Sequence, residues 1–334
     1  MSAPRLTRRG AALLLAGAPA LLARPALVRA TTSSRPAWPA DRPVRVIVPL
    51  AAGGTADFLA RHLASRLQEL TGQSFVVENR TGGGGAVGWQ AVARAAPDAT
   101  TVLLTDNSLA IAAAAGRDVG FDPRQDLEPV SLLAQYPPLL TAAPSLPVQD
   151  LKGFLAYAKA RPGQLFYGSG GIGSVPHLQA ELLQEAAGIR LNHVSYRGMA
   201  QAVTDLIGGQ VQFILPVYPT VAGQLRGGAL KPMAVGAAER LPALPDLPTA
   251  REQGLDFVHH AWFGLLAPRG TPQEALAGMQ AVMASAMSGQ DFGRRLEETG
   301  ATVPGAETAA FREAMASEIA LWSRVLREHN IKVE

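Results

Sequence analysis

Short apolar runs alternate along this chain with longer stretches in which leucine, alanine or valine returns every third or fourth residue. The first run, VRVIVPL at 44–50, is rich in β-branched residues, the pattern of a central parallel strand. Beyond it, Leu59, Leu63, Leu67 and Leu70 fall on one helical face, and Gly72 supplies the stop. The same reading predicts strands over 75–78 and 101–105, with a helix through Trp89 and Val92 between them. Strands at 130–135 and 139–143 are separated by Pro137-Pro138, and a helix begins near Asp150 and ends at Arg161-Pro162-Gly163. Further strands are predicted at 165–167, 191–196, 211–215 and 230–235. The helices between them carry Leu178, Leu182 and Ala186 on one face, then Met199, Val203, Leu206 and Ile207, then 220–226. An apolar return at 261–267 precedes an amphipathic helix over 308–328, whose stripe Phe311, Met315, Ile319, Trp322 and Leu326 reads as core packing. Strands alternating with helices in this way predict an α/β fold.

Glycine marks the joints. Between the strand ending at Tyr167 and the next helix the chain reads GSGGIGSVP, with Ser174 as a good N-cap and Pro176 just inside the helix. Unpaired N–H groups and the positive end of the helix dipole face such a turn, and glycine lets a ligand approach the backbone, so the turn suits an anion. A tight turn that binds nothing fits this element equally well when it is taken alone. The same device stands at Ala51-Ala52-Gly53-Gly54-Thr55, with Thr55 as the expected N-cap and Asp57 in the first helical turn, either as a cap or as a group that orients a water or polar ligand atom. A third glycine run, Gly82 to Gly85, can be forced onto a nucleotide fingerprint, but it follows the second strand and no Walker lysine comes after it. The strand at 101–105 ends in Asp106-Asn107-Ser108, polar groups where α/β clefts place ligands.

The expected organisation is two lobes joined by two crossovers, the first near Thr141 to Pro144. Residues 43–142 with 266–334 form lobe 1, and 143–265 form lobe 2. Glycine-rich helix starts face a common cleft from each lobe. This is the type II-like architecture of periplasmic binding proteins, each lobe a β-sheet flanked by helices.

Composition narrows the chemistry. Hydrophobic residues at 48% with 17% charged fit a globular α/β protein. Cysteine is absent, which removes disulfides, thiolate metal sites and cysteine nucleophiles together. The histidines are scattered apart from His259-His260, so no metal site is visible, and no cofactor is expected. The formal charge of +3 is misleading, because Arg5, Arg8, Arg9, Arg24 and Arg29 lie in the first thirty residues, which hold no acid; without those five the remainder carries −2. A nucleic-acid partner is therefore not supported.

Residues 1–30 read as an export signal: a basic start, an apolar core over 11–23, and a small-residue end at Val28-Arg29-Ala30. Thr7-Arg8-Arg9 favours the twin-arginine (Tat) route over Sec. The apolar run is too short for a membrane anchor, and 31–42 would be a flexible mature N-terminus. A periplasmic location with the signal removed follows.

Six segments in order, RPVRVIVPLAAGGTADFLAR (42–61), VVENRTGGGGAVG (76–88), YGSGGIGSVPHLQAELL (167–183), HVSYRGMAQAVTDLIGGQVQ (193–212), RLPALPDLPTAREQGL (240–255) and WFGLLAPRGTP (262–272), resemble the Bug-type (Tct-type) solute-binding proteins of tripartite tricarboxylate transporters. The resemblance implies a monomeric, non-catalytic receptor that closes on a hinge around a small organic carboxylate and serves membrane permease subunits, or a sensor protein. It implies a ligand held by backbone amides, small hydroxyls and waters. Lobe 1 would contribute Ala52, Gly53, Gly54, Thr55 and Asp57. Lobe 2 would contribute Ser169, Gly171, Ser174 and His177, with Tyr196, Arg197 and Gly198 bordering the cleft. His177 reads equally as a structural hydrogen-bonding group, and Arg197 more readily as an exposed arginine than as a ligand contact. The sequence departs from the resemblance at Pro216-Val217-Tyr218-Pro219, where Asp-Asn is often found. An acid that could meet a ligand amine is missing there and Tyr218 adds an aromatic wall, so a less polar or aromatic carboxylate is expected. Two rivals remain at this stage. One is an exported hydrolase using Ser169 or Ser174 with His177, although no G-x-S-x-G elbow frames either serine; the other is a sensing or interaction protein without a transport role.

Overall fold

The computed structural model describes residues 37–304 and 308–333. In chain order its strands are β1 (Val44–Val48), β2 (Phe75–Asn79), β3 (Thr101–Asp106), β4 (Leu127–Tyr136), β5 (Leu139–Ala142), β6 (Leu165–Ser169), β7 (Leu191–Ser195), β8 (Phe213–Ile214), β9 (Pro232–Val235) and β10 (Ala261–Pro268). The helices are α1 (Thr55–Thr71), α2 (Ala86–Ala93), α3 (Ser108–Ala114), α4 (Leu151–Lys159), α5 (Val175–Ala187), α6 (Met199–Ile207), α7 (Tyr218–Arg226), α8 (Gln273–Met287), α9 (Gln290–Glu298) and α10 (Thr308–Glu328).

Two five-stranded sheets result, ordered β2-β1-β3-β10-β4 and β7-β6-β8-β5-β9. β1 lies parallel between β2 and β3, which is why every residue of its run except Arg45 is apolar and buried. β10 closes the first sheet antiparallel to β3 and β4, and β5 does the same in the second sheet against β8 and β9. Helices cover both faces of the first sheet: Leu59, Leu63, Met279 and Val282 pack on one side, while Trp89, Phe311 and Trp322 pack on the other. The stripe predicted for α10 is that second face. In lobe 2, Phe154 stacks on Phe213 at 4.8 Å, and Val203 and Leu206 fill the opposite side.

The two crossings fall elsewhere than the sequence suggested. The chain leaves the first sheet at Pro137-Pro138, not near Thr141, because Leu139–Ala142 already pairs with β8 and β9. Two consecutive prolines offer no N–H to a ladder, so the strand has to break there. Likewise Ala261 pairs with Tyr136, which places all of β10 in the first sheet rather than splitting it at 265. The apolar interior also crosses between the sheets: Val175 and Leu178 of α5 share one cluster with Trp262, Phe311 and Val325.

The stretch expected to be flexible up to Arg42 is tied down from Trp38 onward. The Trp38 indole is 3% exposed, donates to the Ala99 carbonyl at 2.9 Å and meets Phe75 edge-on. The export signal lies outside the described residues. Among the described residues no helix is long and apolar enough to cross a membrane.

Candidate functional site

The glycine turn between β6 and α5 is shaped by the side chains around it. Ser169 is buried, and its Oγ accepts from the Gly171 N–H at 3.2 Å and lies 2.7 Å from His193 Nε2. Ser174 holds the N-cap position of α5, yet its hydroxyl donates to the Gly171 carbonyl at 2.7 Å instead of capping the helix. His177 Nδ1 accepts from the Gly173 N–H at 2.9 Å, which requires that nitrogen to be unprotonated. The His177 ring stacks on His193 at 3.9 Å, and His193 stacks on Tyr167. Burial and the adjacent His193 push His177 down to about 3, so it stays neutral.

With these groups occupied, the amides of Gly170, Ile172 and Val175 have no protein acceptor among the described residues. They open onto a cavity of about 530 Å³ between the two sheets, a size suited to a small ligand. Lobe 2 lines it with the glycine turn, Arg197, Pro216 and Val217; lobe 1 adds Asp106, Ser108, Arg117 and Phe263. Arg117 lies beside Gly84, where an added Cβ would meet its Nη1 at 3.0 Å. Gly171 and Gly173 have φ of +133° and +73°, backbone that favours glycine. At Gly173 a Cβ would also lie 2.6 Å from a methyl of Val333. Gly173→Ala is expected to cost about 1–3 kcal/mol through strain and overpacking, read as a lowered melting temperature; an unchanged melt would show that Val333 yields freely.

The expected site residues divide into three groups. Gly171, Ser174 and Arg197 line the cavity. Ser169 and His177 stand behind the turn and set its shape, the Tyr196 hydroxyl donates to Asp205 at 2.7 Å, and Gly198 is the N-cap of α6. Ala52, Gly53 and Gly54 are exposed and do not line the cavity; Leu50 does so from that segment. Gly54, not Thr55, is the N-cap of α1. Asp57 is 5% exposed and accepts from the Gly53 N–H at 2.9 Å. It also pairs with Arg61 at 2.9 Å, which holds its carboxyl below the usual range. Tyr218 packs against Gly300 instead of walling the cavity.

Arg117 and Phe263 were not singled out from the sequence. Arg117 sits in a loop after α3 with no local motif, and only the tertiary fold brings it to the cleft. Asp106 and Ser108 carried a signal, their place at the end of a central strand, but were not gathered into the set. The serine–histidine contact that does form is Ser169 with His193, and Ser169 is 0% exposed, out of reach of a substrate. Among the described residues no group of three or more His, Asp or Glu is placed to hold a metal ion.

A family model, described as the tripartite tricarboxylate transporter family receptor, matches residues 59–331. The chain belongs to this receptor family. Protein BugT of Bordetella pertussis is 34% identical over 88% of this chain and 91% of its own length. A solved structure from R. palustris with adipate has a TM-score of 0.78 and 35% identity, covering 88% of this chain and 99% of that one. MatC from Rhodopseudomonas palustris with bound malate has a TM-score of 0.74 and 34% identity, covering 86% and 99%. Periplasmic binding protein BugD has a TM-score of 0.73 and 32% identity, covering 87% and 98%. The Bug/Tct resemblance and the two-lobed α/β fold thus hold. As a tripartite tricarboxylate transporter family receptor, the chain is a solute-binding protein and not an enzyme.

Proposed function

We propose that this receptor works in the periplasm, binds a small organic carboxylate in the cavity between its sheets, and passes it to the permease subunits of a tripartite tricarboxylate transporter. The observation that carries the reading is the set of unpaired amides at Gly170, Ile172 and Val175, beside Arg197, opening onto the cleft between the sheets. A carboxylate fits there because N–H groups at a helix start and an arginine both favour negative charge. The ligands in the adipate and malate complexes of the relatives belong to the same chemical class. Ligand contacts are proposed for Gly171, Ser174 and Arg197, with Ser169 and His177 holding the turn for them. Rotation of the lobes about the crossings at Pro137-Pro138 and ahead of Ala261 would close the cleft.

The test is a thermal-shift screen of the chain from about residue 31 against a carboxylate library. A ligand at ~1,000 times its Kd stabilises by about 4 kcal/mol, several degrees for a chain of this size. Shifts confined to one chemical group of acids, with the compound recovered unchanged, are expected. No shift from any carboxylate would overturn the proposal.

A further inference from the structure

The cavity's one acid stands on a single wall. The lobe 2 wall presents amides and Arg197, whereas the lobe 1 wall carries that acid, Asp106, together with Arg117. Asp106 ends β3 at the centre of the first sheet. Its Oδ1 is occupied, accepting from the Ser108 N–H at 3.1 Å and from the Ser108 hydroxyl. Its Oδ2 takes no hydrogen bond from another residue among those described. Among the described residues no cation is paired with the carboxylate; the charged group that feels it is Glu318, another acid. A largely buried carboxylate with one free oxygen, facing a cavity and lacking a cationic partner, is costly unless something in the cavity donates to it.

We propose that Asp106 is a specificity-determining residue, and that the ligand is an organic acid bearing a hydrogen-bond-donating substituent, hydroxyl or ammonium, which Asp106 Oδ2 accepts. The inference rests on the carboxylate-receptor reading and deepens it. The ligand's carboxylate faces the glycine turn and Arg197, while its donor faces the opposite wall. This reverses the expectation of a less polar ligand drawn from the missing acid near Pro216-Val217. An acid is present in the cleft after all, supplied by the other lobe. Both binding walls follow interior strands, β3 and β6, so the distance between the two subsites is set by the sheets and not by flexible side chains. Arg117, also on lobe 1, adds positive charge near Gly84 and keeps a second anionic group compatible with the site.

The test compares matched acids by calorimetric titration: succinate with malate and aspartate, and adipate with its 2-hydroxy and 2-amino derivatives. In the unaltered protein the best donor-bearing acid of a set is expected to bind about tenfold or more tighter than its unsubstituted parent. Asp106→Asn keeps an oxygen for Ser108 and replaces the free acceptor by an NH2 group, so it tests the contact while leaving that turn intact. It should reduce the preference of donor-bearing acids over their parents to within about twofold. Asp106→Ala, checked for folding by its melting curve, should erase the preference in the same way. A parent acid binding as tightly as its derivatives in every set, or a preference surviving both substitutions, would overturn the proposal while leaving the carboxylate reading intact. Failure of every acid to bind the unaltered protein would instead remove the carboxylate reading, and this proposal with it.

Discussion

Between pH 7.5 and pH 4.5 the buried histidines are expected to cost the protein several kcal/mol of stability, offset in part by one buried acid. His177 is pushed down to about 3 and His259 to about 4, both chiefly by burial, and His62, His193 and His260 are also lowered. In the unfolded chain these rings take up protons near their ordinary pKa of about 6.5, while in the folded protein they stay neutral. The unfolded state therefore binds more protons below that point. The stabilisation is complete above pH ~6.5 and is lost as pH falls toward the folded values. At pH ~4.5, about two units below the ordinary value, His177 and His259 each account for a loss of about 2–3 kcal/mol. Urea denaturation across this range checks the total. His177→Asn retains an acceptor for the Gly173 N–H but does not titrate, so it should flatten the profile by about 2–3 kcal/mol. An unchanged profile in that variant would clear His177 of any part in acid sensitivity.

The second large effect is expected at Glu318. Its carboxylate accepts from Asn107 Nδ2 at 2.7 Å, Trp262 Nε1 at 2.8 Å and Trp322 Nε1 at 3.2 Å. Asn107 in turn accepts from the Trp262 backbone N–H at 2.6 Å, so the group joins the end of β3, the start of β10 and α10. Glu318→Ala strands three donors in a nearly dry interior and is expected to cost about 3–5 kcal/mol. Its protonation works against the histidines. Burial raises Glu318 to about 7 despite those donors, and Asp106 adds to the rise. For an acid raised in the folded state, the folded protein holds a proton that the unfolded chain releases, so this contribution is largest below pH ~4.5 and is lost as pH rises through ~7. Over pH ~4.5–7 the Glu318 contribution therefore offsets part of the histidine loss. Glu318→Gln should remove this offset, so that the loss between pH 7.5 and 4.5 deepens by about 3 kcal/mol. A cost under about 1 kcal/mol for Glu318→Ala at both pH 5 and pH 8 would show that the donors find water instead.

The elements were legible because burial leaves a period in the sequence. β1 shows an unbroken apolar run, the stripe of α10 is complete from Phe311 to Leu326, and Gly72 and Gly188 end their helices in left-handed backbone. The crossing was misplaced because a short apolar strand looks the same in either sheet, and nothing local says which neighbours 139–142 will find. The glycine turn was recognisable, but the division of labour within it was not. Ser169 and His193 are 24 residues apart, and their contact arises only from the pairing of β6 with β7. Asp106 and Arg117 reach the cavity for the same reason: each is an ordinary polar residue until the second lobe is set opposite.

Val333, whose side chain rests against Gly173 at the edge of the cavity, is a convenient place to attach a reporter. The protein has no cysteine, so Val333→Cys would be the single thiol in the molecule and would label with one dye at one position. A dye there borders the ligand space without replacing Asp106, Arg197 or any amide of the glycine turn, which turns the receptor into a reagentless fluorescent sensor for whatever it carries.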